Sequence, residues 1–326
     1  MLRLKQHFKP FSLLPGELYQ IPGSRLFAQV FPSLIRIFNE KNHLLSEVPI
    51  DTDGSLKCFS VMQDLHRGGL TLFSGSNRYA VSGIGKVLKS RSQPVTKLDS
   101  RFLSFGIHKK QDWQMIYRRR DVKEILPLWF RMGLITPGSD ADESDRVGIP
   151  DFLEECFDYR RTDDYCSDRM LFMIEQLFSF GFGNCLVPQR YDRFHRGIFK
   201  EFQDITEMPL TILCRGASLI ESLIYSRKDN RIEFLKKLPG KFVCGKLFGV
   251  VHEGFLSFDL EWTKKRIGMI RLKGLSDTEA FFSFPLDIKQ FRLRKEKTRD
   301  KGRILKAGEP IAINSGITYL LDCFEK

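Results

Sequence analysis

"GFLSFDLEWTKKRIGMIRLKG", Gly254 to Gly274, decides how this chain is read. Leu256, Phe258, Leu260 and Trp262 alternate with Ser257, Asp259 and Glu261, the period-two pattern of a strand with one face on a core. A basic turn follows, and a second apolar-rich run resumes at Arg266. Outward from here, after Pro239-Gly240, "KFVCGKLFGVVH", "AFFSFPLDI", "QFRLR", "RILKAG" and "IAINSGITYLLDCF" continue the strand signal. Residues 239–326 therefore read as a C-terminal β-sandwich.

Toward the N-terminus, residues 25–110 carry further short strand-like runs separated by Asp-Gly, Gly-Gly and Gly-Ser punctuation, the signature of antiparallel sheet. Within them "GSLKCFSVMQDLHRGGLTLFSGS", Gly54 to Ser76, predicts a hairpin turning at Arg67 to Gly69. The period changes at Gln111. Ile125, Leu126, Trp129 and Met132 fall at helical spacing, and Pro127 either starts a second helix or kinks the first. "IPDFLEECFDY", "CSDRMLFMIEQLFSF" and "SLIESLIYS" predict further helices, the second capped by Ser167 or Asp168 and stopped at Gly181. "FGFGN" predicts a helix end with Gly181 or Gly183 at positive φ. The fold class is α+β: an extension over 1–24, an antiparallel β region over 25–110, a helical region over 111–238 and the closing sandwich.

Length and composition suit a folded protein with more than one packed unit. The chain has 326 residues, 42% hydrophobic and 28% charged, and its 29 Phe supply large buried areas. Seven scattered cysteines, with no CxxC or Cys/His spacing, predict free, reduced and mostly buried thiols rather than a disulfide framework or a metal site. The basic N-terminus is interrupted by Lys5, His7 and Lys9 before an apolar core can form, so it is a poor signal peptide. No run approaches the roughly 18 apolar residues needed to cross a bilayer as a helix. These readings predict a cytoplasmic protein without a transmembrane segment.

The formal charge of +12 is segregated. Lys86 to Arg131 holds twelve Lys/Arg against four Asp/Glu, Lys289 to Lys306 holds nine against two, and Ser139 to Asp168 holds eleven acids against three arginines. Such fields steer charged partners or attract one another. "IYRRRDVK" and "QFRLRKEKTRDKGR" could contact phosphates, with Phe291 stacking a base, so nucleic acid is one possible partner. A solvated helix face and a basic hairpin loop are the structural alternatives.

No cofactor or metal signature is present. "SGIGK" lacks the strand, spacing and Ser/Thr of a phosphate loop and reads as a turn. No nucleophile elbow occurs, and "CRGAS" and "FGFGNC" place Cys214 and Cys185 as buried thiols. The densest polar cluster is "FGIHKKQDW", where His108, Gln111, Asp112 and Trp113 meet at the junction of sheet and helix. His108 and Asp112 could form an acid/base pair beside the flat indole of Trp113. The structural alternative makes Asp112 the cap of a helix that buries Trp113. Asp64, near the end of the hairpin, joins these as a candidate ligand-binding residue. Catalytic residues stay unassigned: glycoside hydrolysis needs two carboxylates, and Asp64, Asp112, Glu154, Glu155, Asp259 and Glu261 offer too many pairs.

The stretch "GFLSFDLEWTKKRIGMIRLKG", the final "GITYLLD" and, in the N-terminal half, "DGSLKCFSVMQDLHRGGLTLFSG" resemble the β-sandwich domains of (α/α)-barrel glycosidases and phosphorylases of the α-fucosidase type. The resemblance implies a carbohydrate-related binding or structural protein. The middle is too short for the barrel that carries that family's catalytic acids, so none of them transfers. Three readings follow: a module binding a carbohydrate or a protein partner, with Trp113, Trp129 and Trp262 as flat faces; a divergent or degenerate glycoside hydrolase; and a binder of anionic polymers.

Overall fold

The computed structural model describes residues 7–52, 58–89, 98–138, 148–192, 207–285, 288–296 and 301–325. Among the described residues, ten strands come first: β1 (Phe11–Ser12), β2 (Leu18–Gln20), β3 (Phe27–Val30), β4 (Leu34–Phe38), β5 (Leu44–Pro49), β6 (Ser60–Gln63), β7 (Leu70–Ser74), β8 (Asn77–Val81), β9 (Val87–Lys89) and β10 (Phe102–Ser104). The helices α1 (Trp113–Arg119), α2 (Val122–Ile135), α3 (Ile149–Arg161), α4 (Ser167–Gly181) and α5 (Thr211–Ile224) follow. The chain closes on β11 (Tyr225–Lys228), β12 (Arg231–Phe234), β13 (Gly245–His252), β14 (Leu256–Thr263) and β15 (Arg266–Gly274). After these come β16 (Thr278–Ser283), β17 (Gln290–Lys295), β18 (Arg303–Lys306), β19 (Pro310–Ile313) and β20 (Thr318–Glu325). This is the α+β order that the sequence predicts.

Two compact units emerge, each discontinuous in sequence. One gathers Gln6–Asp99 with His108–Ser218, and the other gathers Ser100–Ile107 with Leu219–Lys326.

The first unit holds two antiparallel sheets, β1-β6-β7-β8-β9 and β2-β3-β4-β5, with α1 to α4 and the first half of α5. The expected hairpin forms over its described residues: Gln63 pairs with Leu70 and Ser60 with Phe73, and the turn closes on Gly68 and Gly69, both at positive φ. Residues 53–57, the first part of that stretch, lie outside the described residues. The "SGIGK" stretch is a turn between β8 and β9, in which Gly85 N–H donates to Ser82 O and Lys86 N–H to Ser82 Oγ.

The helices depart from expectation in detail. Asp121 caps α2 by accepting from Lys123 N–H, so α2 starts before Pro127, which sits inside it. Cys166, not Ser167 or Asp168, occupies the N-cap position of α4, with no side-chain bond. Neither Gly181 nor Gly183 is left-handed. The strained positions are Cys185 (φ 62°) and Leu186 (φ 56°), while a Cβ on Gly181 would lie 2.9 Å from Ile149 Cγ2 and one on Gly183 2.7 Å from Gln189 Nε2. Close approach, not turn conformation, is what those glycines supply.

The second unit is the sandwich. Its seven-stranded sheet runs β10-β13-β14-β15-β20-β17-β18, and its four-stranded sheet runs β11-β12-β16-β19. β14 alternates as its sequence dictates, with Leu256, Phe258, Leu260 and Trp262 buried and the residues between them half-exposed. The two sheets meet through rings: Phe234 lies 5.2 Å from Phe258, and Phe284 lies 5.3 Å from Phe291. Among the described residues no helix is long and apolar enough to cross a membrane. All seven thiols are free, but they are not mostly buried: Cys58, Cys166, Cys244 and Cys323 are exposed, Cys214 is intermediate, and only Cys156 and Cys185 are buried.

Candidate functional site

The junction that the sequence marks is built as a joint. Asp112 caps α1, its Oδ1 accepting from Gln114 N–H at 3.0 Å. Trp113 is fully buried and donates from Nε1 to Gln63 Oε1 at 2.8 Å. Gln111 ties down the N-terminal segment, its Oε1 accepting from Lys9 N–H at 2.7 Å and its carbonyl from Phe11 N–H at 2.9 Å. His108 is exposed and makes no hydrogen bond to Asp112. Asp64 is a turn residue: Oδ1 accepts from the His66 and Arg67 amides, and Oδ2 takes Lys9 Nζ at 2.8 Å. Burial alone would raise the Asp64 pKa, but these donors hold it below the ordinary carboxylate value.

The flat faces proposed for a ligand are closed. Trp129 and Trp262 are buried like Trp113, and their indole N–H groups donate to Ile212 O and Phe242 O. Phe291, read as a base-stacking residue, is 1% exposed and packs against Phe284 and Phe324. The remaining candidate carboxylates are mostly engaged. Glu154 pairs with Arg215, Glu261 with Lys246, and Asp259 accepts from Gly249 N–H at 2.9 Å while facing Arg271, whereas Glu155 is an exposed residue of α3.

Two cations of the basic C-terminal stretch, Arg292 and Arg294, are likewise used by the fold. On the outer face of the seven-stranded sheet, Arg271 bonds Glu296 at 3.0 Å, and Arg292 and Arg294 share Asp322 at 2.7 and 3.0 Å. Burial pushes the Asp322 pKa up, but the two guanidiniums prevail and hold it low. The inner face differs. Cross-strand partners share a face, and Arg303 is opposite Leu293 while Lys295 is opposite Tyr319. Leu293 and Tyr319 are buried, so Arg303 and Lys295 point to the inner side of the sheet at its β18 edge.

There they line a pocket of about 400 Å³, which Arg294 also borders, with Ala312 and Asn314 from the β19 side. Tyr319 Oη donates to Asn314 Oδ1 at 2.8 Å and accepts from Asn314 N–H at 3.1 Å. This fixes the carboxamide so that its oxygen is occupied and its NH₂ group remains as donor. Among the described residues Arg303 has no carboxylate partner and no acidic side chain lines the pocket. The wall thus combines cationic and amide donors with the apolar surfaces of Leu293 and Ala312. A volume of this size exceeds a bare oxyanion and suits a small organic anion.

Sequence reasoning marked this basic stretch without separating the two faces. The alternation in "QFRLRK" was the available signal, since it sets Leu293 and Lys295 apart from Arg292 and Arg294. A second polar cluster was missed. Glu17 accepts from Gln114 Nε2, Asn184 Nδ2 and the Cys185 thiol at 3.2, 3.2 and 3.1 Å, and burial pushes that thiol well above its ordinary pKa. A protonated, buried thiol is the opposite of an activated nucleophile. No protein-family model matches the chain, and no curated protein matches it either.

Proposed function

We propose that the chain is a binding protein whose C-terminal sandwich takes an anionic group in the pocket between the β18 and β19 edges. The observation that carries this reading is Arg303, placed by its register opposite buried Leu293 on the inner side of the sheet, beside Lys295 in a pocket where, among the described residues, Arg303 has no carboxylate partner and no wall residue is acidic. Arginine suits planar, two-point recognition of phosphate, sulfate or carboxylate. The ligand class that joins this pocket to the glycosidase-like resemblance is a sugar bearing such a group, the anionic group being what the pocket supports and the sugar what the resemblance implies. Hydrolysis by a carboxylate pair draws no support from the partners of the candidate acids, and base stacking draws none from the burial of Phe291.

Calorimetric titration with inorganic phosphate, glucose 6-phosphate and glucuronate tests the reading. Binding of one or more of these, weakening with added salt and lost by about tenfold or more in Arg303→Glu, is the expected result. Equal affinity in the wild type and a folded Arg303→Glu protein would show that the pocket is not the binding site.

A further inference from the structure

Residues 7–12 run along β6 as an added strand. Phe11 and Ser12 pair with Met62 and Val61, Gln63 N–H donates to Pro10 O at 2.8 Å, and Leu65 N–H donates to Phe8 O at 3.1 Å. Phe8 is 1% exposed. At the far end of this strand the Phe8 N–H donates at 2.9 Å to Nε2 of His66, on the turn after β6. A ring nitrogen that accepts cannot carry a proton, so this bond requires the neutral imidazole with its hydrogen on Nδ1. Protonation would set one N–H against another.

We propose that residues 7–12 form a proton-operated strap, latched by the bare Nε2 of His66 and released when that nitrogen is protonated. The charged groups around the ring divide. Asp64, on the same turn, favours the imidazolium, while Arg131 from α2 and His7 and Lys9 from the strap oppose it. Arg131 is itself fixed, donating from Nε to Leu65 O at 2.8 Å and from Nη1 to Asp99 O at 2.6 Å. Burial is the largest influence and brings the imidazole down to about 4, from an ordinary value of 6.5. The released state therefore binds the proton more readily. The latch contributes fully above pH 6.5 and is lost as pH falls from 6.5 through 4. Release uncovers the β6 edge, with the amides of Gln63 and Leu65 open to pairing by another strand.

Hydrogen exchange of the full-length chain at pH 7 and pH 5, corrected for intrinsic rates, tests the latch. The two pKa values set an opening equilibrium that grows about twentyfold over that interval. Protection of the Phe8, Lys9 and Phe11 amides should fall by that factor while α2 keeps its own. His66→Gln, which offers a carboxamide oxygen that does not titrate, should show no such loss. Strap protection independent of pH in the wild type, an equal loss in His66→Gln, or simultaneous loss across α2 would overturn the proposal. Should the variant fail to fold, ring ¹⁵N shifts of wild-type His66 decide. An unprotonated Nε2 at pH 7 that titrates below 6.5 supports the latch, and a protonated one ends it.

Discussion

Each of the three tryptophans uses its single N–H inside the protein, and at two of them a glycine makes room for the ring. A Cβ on Gly216 would stand 2.3 Å from Cζ2 of Trp129, and one on Gly245 would stand 2.3 Å from Cζ2 of Trp262. These side chains are therefore core, and their energetics should be those of core. Trp113→Ala should cost about 3–5 kcal/mol, because it removes a fully buried indole and strands Gln63 Oε1, whereas Asp112→Ala should cost about 1 kcal/mol for a lost cap. Urea denaturation of both variants checks the difference, and comparable losses would place Trp113 outside the core. Cysteine reactivity is set at the same scale. In the native protein, DTNB should label Cys58, Cys166, Cys244 and Cys323 quickly, and Cys156 and Cys185 only as fast as the chain opens. Burial pushes the Cys156 thiol up to about 12, which slows it further.

Much of the helix and strand pattern was legible where it was local, although the helix read over "SLIESLIYS" ends at Ile224 and its last two residues, Tyr225 and Ser226, begin β11. The alternation of β14, the Gly68-Gly69 turn and the cap at Asp112 each depend on residues within a few positions of one another, and each appears where the sequence puts it. Tertiary contact decided the rest. Pro127 is carried inside α2, and the left-handed residues beyond α4 are Cys185 and Leu186 although glycines stand two and four positions earlier. The meeting of α2 and α5 was invisible in the sequence. A Cβ on Gly133 would lie 2.1 Å from Leu213 O and 2.8 Å from Ala217 Cβ, so the two helices touch backbone to backbone at that point. Gly133→Ala should then destabilise by about 1–3 kcal/mol, although alanine is the better helix former. A stabilised Gly133→Ala protein in thermal or urea unfolding would refute this close approach.

Acid should weaken the whole molecule in two stages. His66 loses its contribution first, as pH falls from 6.5 through 4. Asp64 and Asp322, whose folded-state values lie below the ordinary 3.8, contribute fully above that value and lose their contribution as pH falls through their lowered pKa. Urea midpoints followed from pH 7 to pH 3 should show both stages, and Asp322→Asn should remove part of the second only. The charge map was legible in the sequence as a sum but not as a surface. It could not tell that Arg292 and Arg294 share Asp322, that Arg271 takes Glu296, or that Arg303, across the strand from Leu293, lies on the inner side without such a partner among the described residues. Pairing register, which joins residues far apart in the chain, makes that distinction, and anion binding at Arg303 depends on it. The most direct test is a phosphate titration followed by two-dimensional amide NMR. Saturable shifts centred on Lys295, Arg303, Asn314 and Tyr319, vanishing in Arg303→Glu, are expected; absent shifts, or shifts spread evenly over the other basic segments, would refute anion binding in this pocket.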